Sequence, residues 1–348
     1  MKKEVICLGI ESTAHSFGIG IAKAELGVSG KKNGVILSNV IKQFTTKSGG
    51  IIPAEAAEHH VDVCDTAILE ALAAAKIGIK DVDIISFSQG PGIGHCLRVG
   101  AAAARTLAFV NKKPMVGVNH CISHLEIGKL LTAAKDPVLL YVSGANTQVI
   151  AFEAGKYRIF GETLDIGVGN LLDVFARHIG LGFPGGPKVM ELARSGRNYV
   201  ELPYVVKGMD VSFGGILTNI RRKYDERQYS NKGTAAPLST LNYSKEDLCY
   251  SLQETVFAML VEVAERALAH TGKSELLLGG GVACNTRLQE MCRIMCEQRG
   301  AKLFFPERQF LVDNGAMIAW LGILEYFKGK RTAVEKSGIL PYWRTDEV

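Results

Sequence analysis

The segment VLLYVSGANTQVIAF, residues 138–152, decides the fold class of this chain. An apolar run at 138–142 stops at the polar segment 143–147 and a second apolar run follows at 148–152, which predicts two strands joined by a turn. The same pattern occurs near the beginning of the chain, where apolar residues at 5–10 and strand-like alternation at 16–22 flank Glu11-Ser12-Thr13. The chain therefore contains one hairpin pattern twice.

Each predicted hairpin is followed further along by a buried-type strand, a glycine turn and a helical pattern. In the first copy these occupy 84–88, 89–94 and 99–110, and in the second copy they occupy 276–278, 279–283 and 285–299. Repetition of the whole set indicates an internal duplication. We therefore expect an α/β protein with two lobes and a cleft between them. The first lobe is predicted at 1–135, completed by the C-terminal helical region 310–348, and the second at 136–309.

Three further segments have clear patterns. Residues 51–76 predict a polar loop followed by a helix, and residues 245–270 predict a long amphipathic helix. Residues 180–187 are rich in glycine and proline and are expected to form a loop.

The composition is that of a globular protein. The chain has 348 residues, 47% of them hydrophobic, and a net charge of +5, which is compatible with nucleic-acid binding without requiring it. Its eight cysteines form no Cys-x-x-Cys pair, so we expect reduced thiols. No signal sequence and no apolar run of about 18 residues is present, and we expect a cytoplasmic location with no membrane segment.

Two histidines, His120 and His124, lie four positions apart in a segment with a helical pattern. Positions i and i+4 share one helix face, so both imidazoles can reach a single metal ion. The same spacing occurs in helices that bind nothing, and the pair alone leaves both interpretations open. A zinc peptidase of the His-Glu-x-x-His type needs a glutamate directly after the first histidine, and Cys121 occupies that position, which argues against proteolysis.

Glycine-containing turns occur at 143–147, 182–187 and 279–285. Such turns at helix starts offer backbone N–H groups to a phosphate. None is a P-loop or a dinucleotide fingerprint, and each alone is compatible with a plain turn, but together they predict nucleotide binding. Asp165 and Asp173 flank the segment 166–172, and Asp173, at a helix start, is a candidate either for ribose hydrogen bonds or for solvent exposure. Asp313 precedes the last helical pattern, where local sequence does not distinguish an N-cap from a functional role.

The most basic stretch of the chain runs from 207 to 237. It is either a solvated helix face or a contact for nucleic-acid phosphates, which bind cationic side chains whatever the base sequence. The charged and aromatic residues concerned are Arg221, Arg222, Lys223, Arg227, Lys232, Tyr224 and Tyr229.

A second histidine cluster, His59 and His60, consists of adjacent residues. Neighbours on a helix diverge by roughly 100°, so the two cannot easily bind one ion. We expect a surface or inter-lobe role for this pair. His15 is isolated on the tip of the first predicted hairpin.

Seven motifs then appear in order along nearly the whole chain. They are IESTAHSFG (10–18), SQGPG (88–92), NHCISH (119–124), YVSG (141–144), DVFAR (173–177), GFPGGPK (182–188) and GGGVACN (279–285). Together they resemble the tRNA N6-adenosine threonylcarbamoyltransferase family in its archaeal and eukaryotic form, the catalytic subunit of the KEOPS complex. The resemblance implies the two-lobed actin/sugar-kinase/heat-shock-70 (ASKHA) fold with duplicated ribonuclease-H-like domains.

The resemblance also implies a reaction. The threonylcarbamoyl group of threonylcarbamoyl-AMP is transferred to the exocyclic amine of the adenosine 3′ to the anticodon, in tRNAs reading codons that begin with A. The implied catalytic metal ligands are His120, His124 and Asp313, with Tyr141 as a further ligand in the archaeal type. Iron is the expected ion and zinc the alternative.

The resemblance implies a nucleotide site as well, which takes the donor and also ATP or AMP. Its expected residues are Tyr141, Val142, Ser143, Gly144, Ala145, Asp173, Gly186, Met190 and Asn285. Two of them depart from the family pattern. Ala145 stands where the family pattern has a glycine, and an alanine fits there only if the backbone does not adopt a glycine-type conformation. Met190 stands where the pattern has a glutamate, and its side chain cannot accept a hydrogen bond from a ribose hydroxyl. Glu191, one position further along a helix, is not expected to substitute.

Partners are implied by the resemblance more than by the residues. They are tRNA, a kinase-like ATPase subunit, a dimerising subunit, a further small subunit, and a separate synthase that supplies the donor; no membrane is involved. Two alternatives stay open. A small-molecule kinase or carbamoyltransferase of the same superfold would keep the nucleotide turns without a two-histidine metal site. A non-catalytic scaffold would not need His120, His124 and Asp313, whose presence argues against it.

Overall fold

The computed structural model describes residues 4–26, 32–46, 49–231 and 243–348. The strands are β1 Glu4–Glu11, β2 Ser16–Leu26, β3 Lys32–Gln43, β4 Ile84–Gly90, β5 Met115–Asn119, β6 Val138–Val142, β7 Thr147–Glu153, β8 Lys156–Glu162, β9 Val206–Lys207, β10 Asp210–Val211, β11 Glu275–Gly279 and β12 Lys302–Phe304. The α-helices are α1 Pro53–Ala75, α2 Gly94–Asn111, α3 His120–Leu131, α4 Val168–His178, α5 Gly186–Ala193, α6 Gly214–Asn231, α7 Lys245–Thr271, α8 Thr286–Arg299, α9 Arg308–Leu311 and α10 Gly315–Phe327.

The chain divides into two compact units. Unit 1 comprises Met1–Thr45, Ile51–Ala134 and Phe305–Val348, and unit 2 comprises Thr46–Gly50 and Lys135–Phe304. Both units are built around a five-stranded mixed sheet.

The two large sheets have the same topology. The strand order is β3-β2-β1-β4-β5 in unit 1 and β8-β7-β6-β11-β12 in unit 2. In each sheet the three hairpin strands are antiparallel, and the next two strands run parallel to the first hairpin strand. The duplication predicted from the repeated hairpin pattern is therefore confirmed.

The core of unit 1 lies on one face of its sheet. Leu8 and Ile10 of β1, Phe17 of β2 and Phe87 of β4 are fully buried and pack with small residues of α1 and α2 such as Ala101. Apolar residues dominate β1 and β4 because both strands are covered on two sides.

The other face of this sheet is covered by α10. Gly20 on β2 allows the contact, since a Cβ at this position would overlap the backbone of Ala316. A larger residue at Gly20 would push the helix away from the sheet. This close approach fixes where α10 begins, and with it the position of Asp313, two residues before the helix.

Unit 2 is organised by the long helix α7. Ser244 caps it, with its hydroxyl accepting from the backbone N–H of Asp247 at 3.0 Å. The Asp247 carboxylate in turn accepts from the backbone N–H groups of Arg197 and Asn198 at 2.7 and 2.8 Å. Burial acts to raise the pKa of Asp247, but these hydrogen bonds outweigh it and hold that pKa well below the usual value.

Most sequence-based boundaries agree with the structure. The helices expected within 51–76 and 245–270 are confirmed as α1 and α7. The loop expected at 180–187 is wrong at its end, because α5 already begins at Gly186. Pro187 is compatible with this first turn because its missing N–H is not needed there. No helix in the described ranges is long and apolar enough to cross a membrane.

Candidate metal centre

The histidine pair lies in the first two turns of α3. Asn119 ends β5 and caps the helix, its side-chain oxygen accepting from the backbone N–H groups of Cys121 at 3.0 Å and Ile122 at 3.3 Å. The helix therefore begins at His120, and the rings of His120 and His124 lie on one face with centroids 5.0 Å apart. Both side chains are buried. The helical spacing predicted from the sequence is confirmed.

Asp313 completes a cluster with the two histidines. One of its carboxylate oxygens, Oδ1, lies 3.4 Å from Nε2 of His120 and 3.4 Å from Nε2 of His124. The N-cap interpretation of Asp313 is wrong, because the neighbouring Asn314 caps α10 by accepting from the N–H of Met317 at 2.9 Å. The cap therefore lies one residue later, and Asp313 faces the histidines.

The protonation states of this cluster suit metal binding. Burial acts to raise the pKa of Asp313, but the charges and hydrogen bonds of His120 and His124 hold that pKa well below its usual value. Burial lowers the pKa of His124, and this outweighs the opposing effect of Asp313. At neutral pH the cluster thus holds a carboxylate and a neutral imidazole, the forms that bind metal ions.

The geometry also fits one ion. One ligand atom from each of His120, His124 and Asp313 lies within 4.8 Å of the other two, and these residues belong to a single unit. Two imidazole nitrogens and a carboxylate oxygen suit iron or zinc and leave coordination positions for a substrate. The cluster is therefore a candidate metal centre.

Glu11 is a member of this site that the sequence analysis did not identify. It ends β1, is fully buried, and places Oε2 2.9 Å from Nδ1 of His120. Its other oxygen, Oε1, accepts from the backbone N–H of Thr13 at 2.6 Å and from the Thr13 hydroxyl at 2.5 Å. The available indication was an acidic residue directly after an apolar strand, followed two positions later by a hydroxyl residue.

Unit 2 contains the residues expected to bind the nucleotide. The turn after β6 is closed by the N–H of Ser143, which donates to the Asn146 carbonyl at 2.8 Å. Two carbonyl oxygens of this turn accept hydrogen bonds from α4. The N–H of Gly169 donates to the carbonyl of Ser143 and the N–H of Asn170 donates to the carbonyl of Gly144, both at 3.0 Å. Gly144 and Ala145 are exposed at the tip, and within the described residues their N–H groups donate to no protein acceptor. This tip offers two backbone donors to an anion.

The backbone of Ala145 meets the condition set from the sequence. Among the described residues other than glycine, positive φ values occur at Lys76, Lys112 and Ala154. Ala145 therefore adopts an ordinary conformation, in which its methyl group costs little. The flanking strand residues, Tyr141 and Val142, are buried in β6.

The glycine turn after β11 lies against the end of β6. Gly280 has a φ of 91°, and a Cβ there would overlap the carbonyl oxygen of Val142. Asn285, at the end of this turn, caps α8 by accepting from the N–H of Arg287 at 2.9 Å, while its amide donates to Gln253 at 2.9 Å. The structure thus brings two of the three glycine turns together within unit 2.

The third turn is connected to α4 through Asp173. This residue is half-buried and accepts from the N–H of Gly185 at 2.7 Å, just before Gly186 begins α5. Met190 is half-buried on α5. Glu191 is exposed and pairs with Arg194 at 2.8 Å.

Asp165 has a structural role at the beginning of α6. It accepts from the backbone N–H groups of Phe213 at 2.9 Å and Gly214 at 2.8 Å and from the Ser212 hydroxyl at 2.6 Å. Burial acts to raise its pKa, but these hydrogen bonds lower it to about 2. The carboxylate therefore caps α6, and its oxygens are occupied by protein donors.

The basic stretch is largely a helix face with internal partners. On α6, the guanidinium of Arg221 donates to Nδ1 of His178 at 3.3 Å, and Nε2 of His178 lies 2.7 Å from Asp225. Lys232 and the side chain of Tyr229 lie outside the described residues. These contacts favour the solvated-face interpretation for this part of α6.

The two residues of the second histidine cluster differ in burial. His59 is half-buried, whereas His60 is fully buried against Phe17, with ring centroids 5.3 Å apart, so the surface alternative of the expected surface or inter-lobe role is wrong for His60. His59 lies beside Phe44, with centroids 5.8 Å apart. Neither ring nitrogen of His60 has a hydrogen-bond partner among the described residues. Burial, with the charges of His59 and His15, lowers the pKa of His60 to about 4.

Solved structures similar to this chain define its fold. They include HypF from T. kodakarensis, with a TM-score of 0.59 and 14% identity over 94% of this chain and 48% of that one. Component A of (R)-2-hydroxyglutaryl-CoA dehydratase from Acidaminococcus fermentans has a TM-score of 0.51 and 13% identity over 92% of this chain and 98% of that one. With the two matching sheets, they define the class: a two-lobed ASKHA protein, as expected.

Sequence comparison then gives the family. The pattern of tRNA N6-adenosine threonylcarbamoyltransferase matches residues 35–320. The enzyme of that name from Thermococcus sibiricus is 53% identical over 99% of both chains, and that from Thermofilum pendens is 52% identical over 98% of this chain and 95% of its own. A probable bifunctional tRNA threonylcarbamoyladenosine biosynthesis protein from Methanocaldococcus jannaschii is 49% identical over 99% of this chain and 60% of its own length.

The chain belongs to the tRNA N6-adenosine threonylcarbamoyltransferase family. It is therefore a transferase, and the resemblance drawn from the seven motifs is confirmed.

Proposed function

We propose that this chain transfers the threonylcarbamoyl group of threonylcarbamoyl-AMP to the exocyclic amine of the adenosine 3′ to the anticodon, in tRNAs reading codons that begin with A. Family membership supports this reaction class. The observation that carries it is the buried cluster of His120, His124 and Asp313, whose ligand atoms lie within 4.8 Å of one another. A non-catalytic scaffold would have no use for such a cluster.

The three residues of the cluster would hold one metal ion, iron by preference and zinc as the alternative. Tyr141 is proposed as a further ligand from the resemblance. The bound ion would supply positive charge and Lewis acidity to the phosphate of the donor. The donor itself is expected to be threonylcarbamoyl-AMP, with ATP or AMP binding at the same place.

The proposed reaction needs little covalent help from the protein. The amine nitrogen attacks the carbamoyl carbonyl carbon, the bond from that carbon to the phosphate oxygen breaks, AMP leaves with the electron pair, and the nitrogen loses a proton to water. Because the mixed anhydride is already activated, the task of the protein is positioning and charge stabilisation.

The tip of the β6–β7 hairpin is suited to holding the donor phosphate. Gly144 and Ala145 are exposed residues, and the turn that carries them is closed by hydrogen bonds between Ser143 and Asn146. We place the rest of the nucleotide along Asp173, Gly186 and Asn285. Because Met190 cannot accept from a ribose hydroxyl, its contact with the nucleotide would be apolar.

We propose that tRNA binding is shared with partners. The expected ones are a kinase-like ATPase, a dimerising subunit and a further small subunit, in a KEOPS-type assembly, with a separate synthase supplying the donor. The net charge of +5 suits shared binding, because affinity for nucleic acid grows with the number of phosphates neutralised.

Reconstitution tests the proposed function. The chain is combined with synthase, partner subunits, threonine, bicarbonate, ATP and unmodified tRNA, and the nucleosides are analysed by mass spectrometry. We expect threonylcarbamoyladenosine in tRNA that carries adenosine 3′ to the anticodon, and none in a matched tRNA with guanosine there. A complete mixture that forms no modified nucleoside would contradict the proposal, and so would formation that is undiminished when this chain is left out.

A further inference from the structure

The contact between Glu11 and His120 is the strongest unassigned feature of the molecule. Glu11 is a fully buried carboxylate, and Oε2 lies 2.9 Å from Nδ1 of His120. Burial of a carboxylate is costly unless it accepts hydrogen bonds from strong donors. The buried carboxylate of Glu11 is therefore expected to accept hydrogen bonds from protein donors.

The rest of the Glu11 side chain is held in place. Oε1 accepts from both the N–H and the hydroxyl of Thr13, at 2.6 and 2.5 Å. Thr13 is itself fixed, since its carbonyl accepts from the N–H of Ile93 at 2.7 Å. A Cβ at Gly92 would lie 2.7 Å from the same carbonyl oxygen, so the two segments are in close contact. Oε2 is thus aimed at His120 by a rigid frame.

The two nitrogens of the His120 ring face different partners. Nδ1 faces Glu11, and Nε2 faces Asp313 at 3.4 Å. An imidazole that binds a metal ion through Nε2 carries its proton on Nδ1, where a carboxylate is the strongest neighbouring acceptor.

We infer that Glu11 is a positioning residue, which fixes the tautomer and the ring orientation of His120 so that Nε2 faces the metal ion. This inference rests on the metal site of the proposed function. Glu11 does not touch substrate in this role, because it is fully buried and both of its oxygens are engaged with protein groups. It acts only through His120.

The test compares metal binding in three variants of the full chain. Glu11→Ala removes the acceptor, and Glu11→Gln keeps one carbonyl oxygen that can accept either from His120 or from Thr13. Glu25→Gln makes the same chemical change at an exposed position on β2 of the same sheet. Zn²⁺ affinity is measured by calorimetric titration, and folding is verified by thermal unfolding.

We expect Glu11→Ala to bind Zn²⁺ roughly 10- to 100-fold more weakly than the unmodified chain, the usual effect of losing such a supporting carboxylate. Glu11→Gln should recover part of this loss, and Glu25→Gln should bind normally. If Glu11→Ala does not fold, the partial loss of Zn²⁺ affinity in Glu11→Gln is compared with Glu25→Gln instead. Unchanged Zn²⁺ affinity in every folded Glu11 variant would overturn the inference, as would a failure of the unmodified chain to bind Zn²⁺.

The ¹⁵N chemical shifts of the imidazoles give a readout that a purely structural role would not change. In the Zn²⁺-loaded chain, we expect His120 to be protonated at Nδ1 and metal-bound at Nε2, and to lose this single form in Glu11→Ala. Metal-bound Nδ1 in the unmodified chain would overturn the inference. The nucleoside assay remains a separate test, since a chain that binds Zn²⁺ as expected but modifies no tRNA would contradict the proposed function alone.

Discussion

The two units have the same sheet topology but use the tips of their first hairpins differently. The first tip, residues 11–16, works through buried side chains, since Glu11 and Thr13 form a network that reaches His120. The second tip, residues 142–147, is suited to work through backbone, since Gly144 and Ala145 are exposed residues at the end of a closed turn and their N–H groups donate to no acceptor among the described residues. The two copies therefore share one sheet topology, whereas their tips present different groups: buried side chains in the first and a backbone turn in the second.

This difference predicts opposite sensitivities. At the first tip, removal of side-chain atoms should damage function, because the candidate metal ligands that it supports are side chains. At the second tip, addition of side-chain atoms should do the damage, because Gly280 packs against the backbone of Val142. The four predictions below test this contrast.

The largest effect is expected from His120→Ala. Loss of one imidazole should abolish tight metal binding and with it several kcal/mol of charge stabilisation, which corresponds to a transfer rate lower by roughly 10³-fold. The rate is measured by nucleoside mass spectrometry under single-turnover conditions. His95→Ala, which changes an exposed histidine of the same unit, is the matched control and should be fully active. A His120→Ala rate within a few-fold of the normal rate would contradict a role of the first tip in the transfer reaction.

The second prediction concerns acid sensitivity of unit 1. The pKa of His60 is about 4 in the folded chain, against about 6.5 when unfolded, so the unfolded chain binds the extra proton between these values. Stability should be complete above about pH 6.5 and fall as the pH drops, by roughly 3 kcal/mol at pH 4. His60→Leu should remove this loss.

Tryptophan fluorescence during urea unfolding measures this loss of stability in unit 1. Both tryptophans of the chain, Trp320 and Trp343, belong to unit 1. In unit 2, by contrast, Asp165 and Asp247 have lowered pKa values, so their contribution is present above about pH 4 and is lost only at lower pH. An unfolding midpoint for unit 1 that is the same at pH 5 and pH 7 would refute the assignment to His60.

The third prediction concerns added atoms in unit 2. Gly280→Ala places a methyl group at a φ of 91° and against the carbonyl of Val142, so we expect a loss of about 1–3 kcal/mol in stability. Gly281→Ala is the control, because no atom lies near its Cβ position. Hydrogen exchange of β6 and β11 amides should accelerate in the first variant and not in the second. Equal exchange in both would show that the turn tolerates side chains.

The smallest effect is expected from Ala145→Gly, which introduces the glycine that the family resemblance leads us to expect at this position. Because Ala145 already has an ordinary φ, the change should cost only about 0.4–1 kcal/mol through greater freedom of the unfolded chain. Affinity for AMP, measured by calorimetry, should stay within about threefold, since the backbone donor is retained. A tenfold gain in affinity would mean that the methyl group obstructs the second tip.

Sequence reasoning succeeded where the deciding information is local. The hairpins, the glycine turns at 143–147 and 279–285 and the helical spacing of the α3 histidine pair depend on patterns within a few residues, and these were predicted correctly, whereas the turn at 182–187 ends earlier than expected because α5 begins at Gly186. For Asp313 the local sequence left an N-cap and a functional role open, because Asp313 and Asn314 are both good caps, and in the structure Asn314 is the cap of α10.

Glu11 was missed for a different reason. Its partner His120 lies 109 positions away, and nothing near residue 11 indicates that a histidine will be brought to it. The burial of His60 could not be predicted from local sequence either, because its contact with Phe17 depends on how α1 packs on β2. Local sequence patterns therefore predict the helices and strands, whereas the candidate site also depends on contacts between distant segments.

X-ray absorption spectroscopy of the Zn²⁺-loaded chain tests the central claim most directly, namely that His120, His124 and Asp313 together hold a metal ion. We predict two imidazole nitrogens and oxygen ligands at about 2.0–2.2 Å, with one imidazole lost in His124→Ala. Cys121 lies between the two histidines in sequence and provides the sharpest alternative ligand. A sulfur ligand at about 2.3 Å, or fewer than two imidazoles in the unmodified chain, would contradict the account.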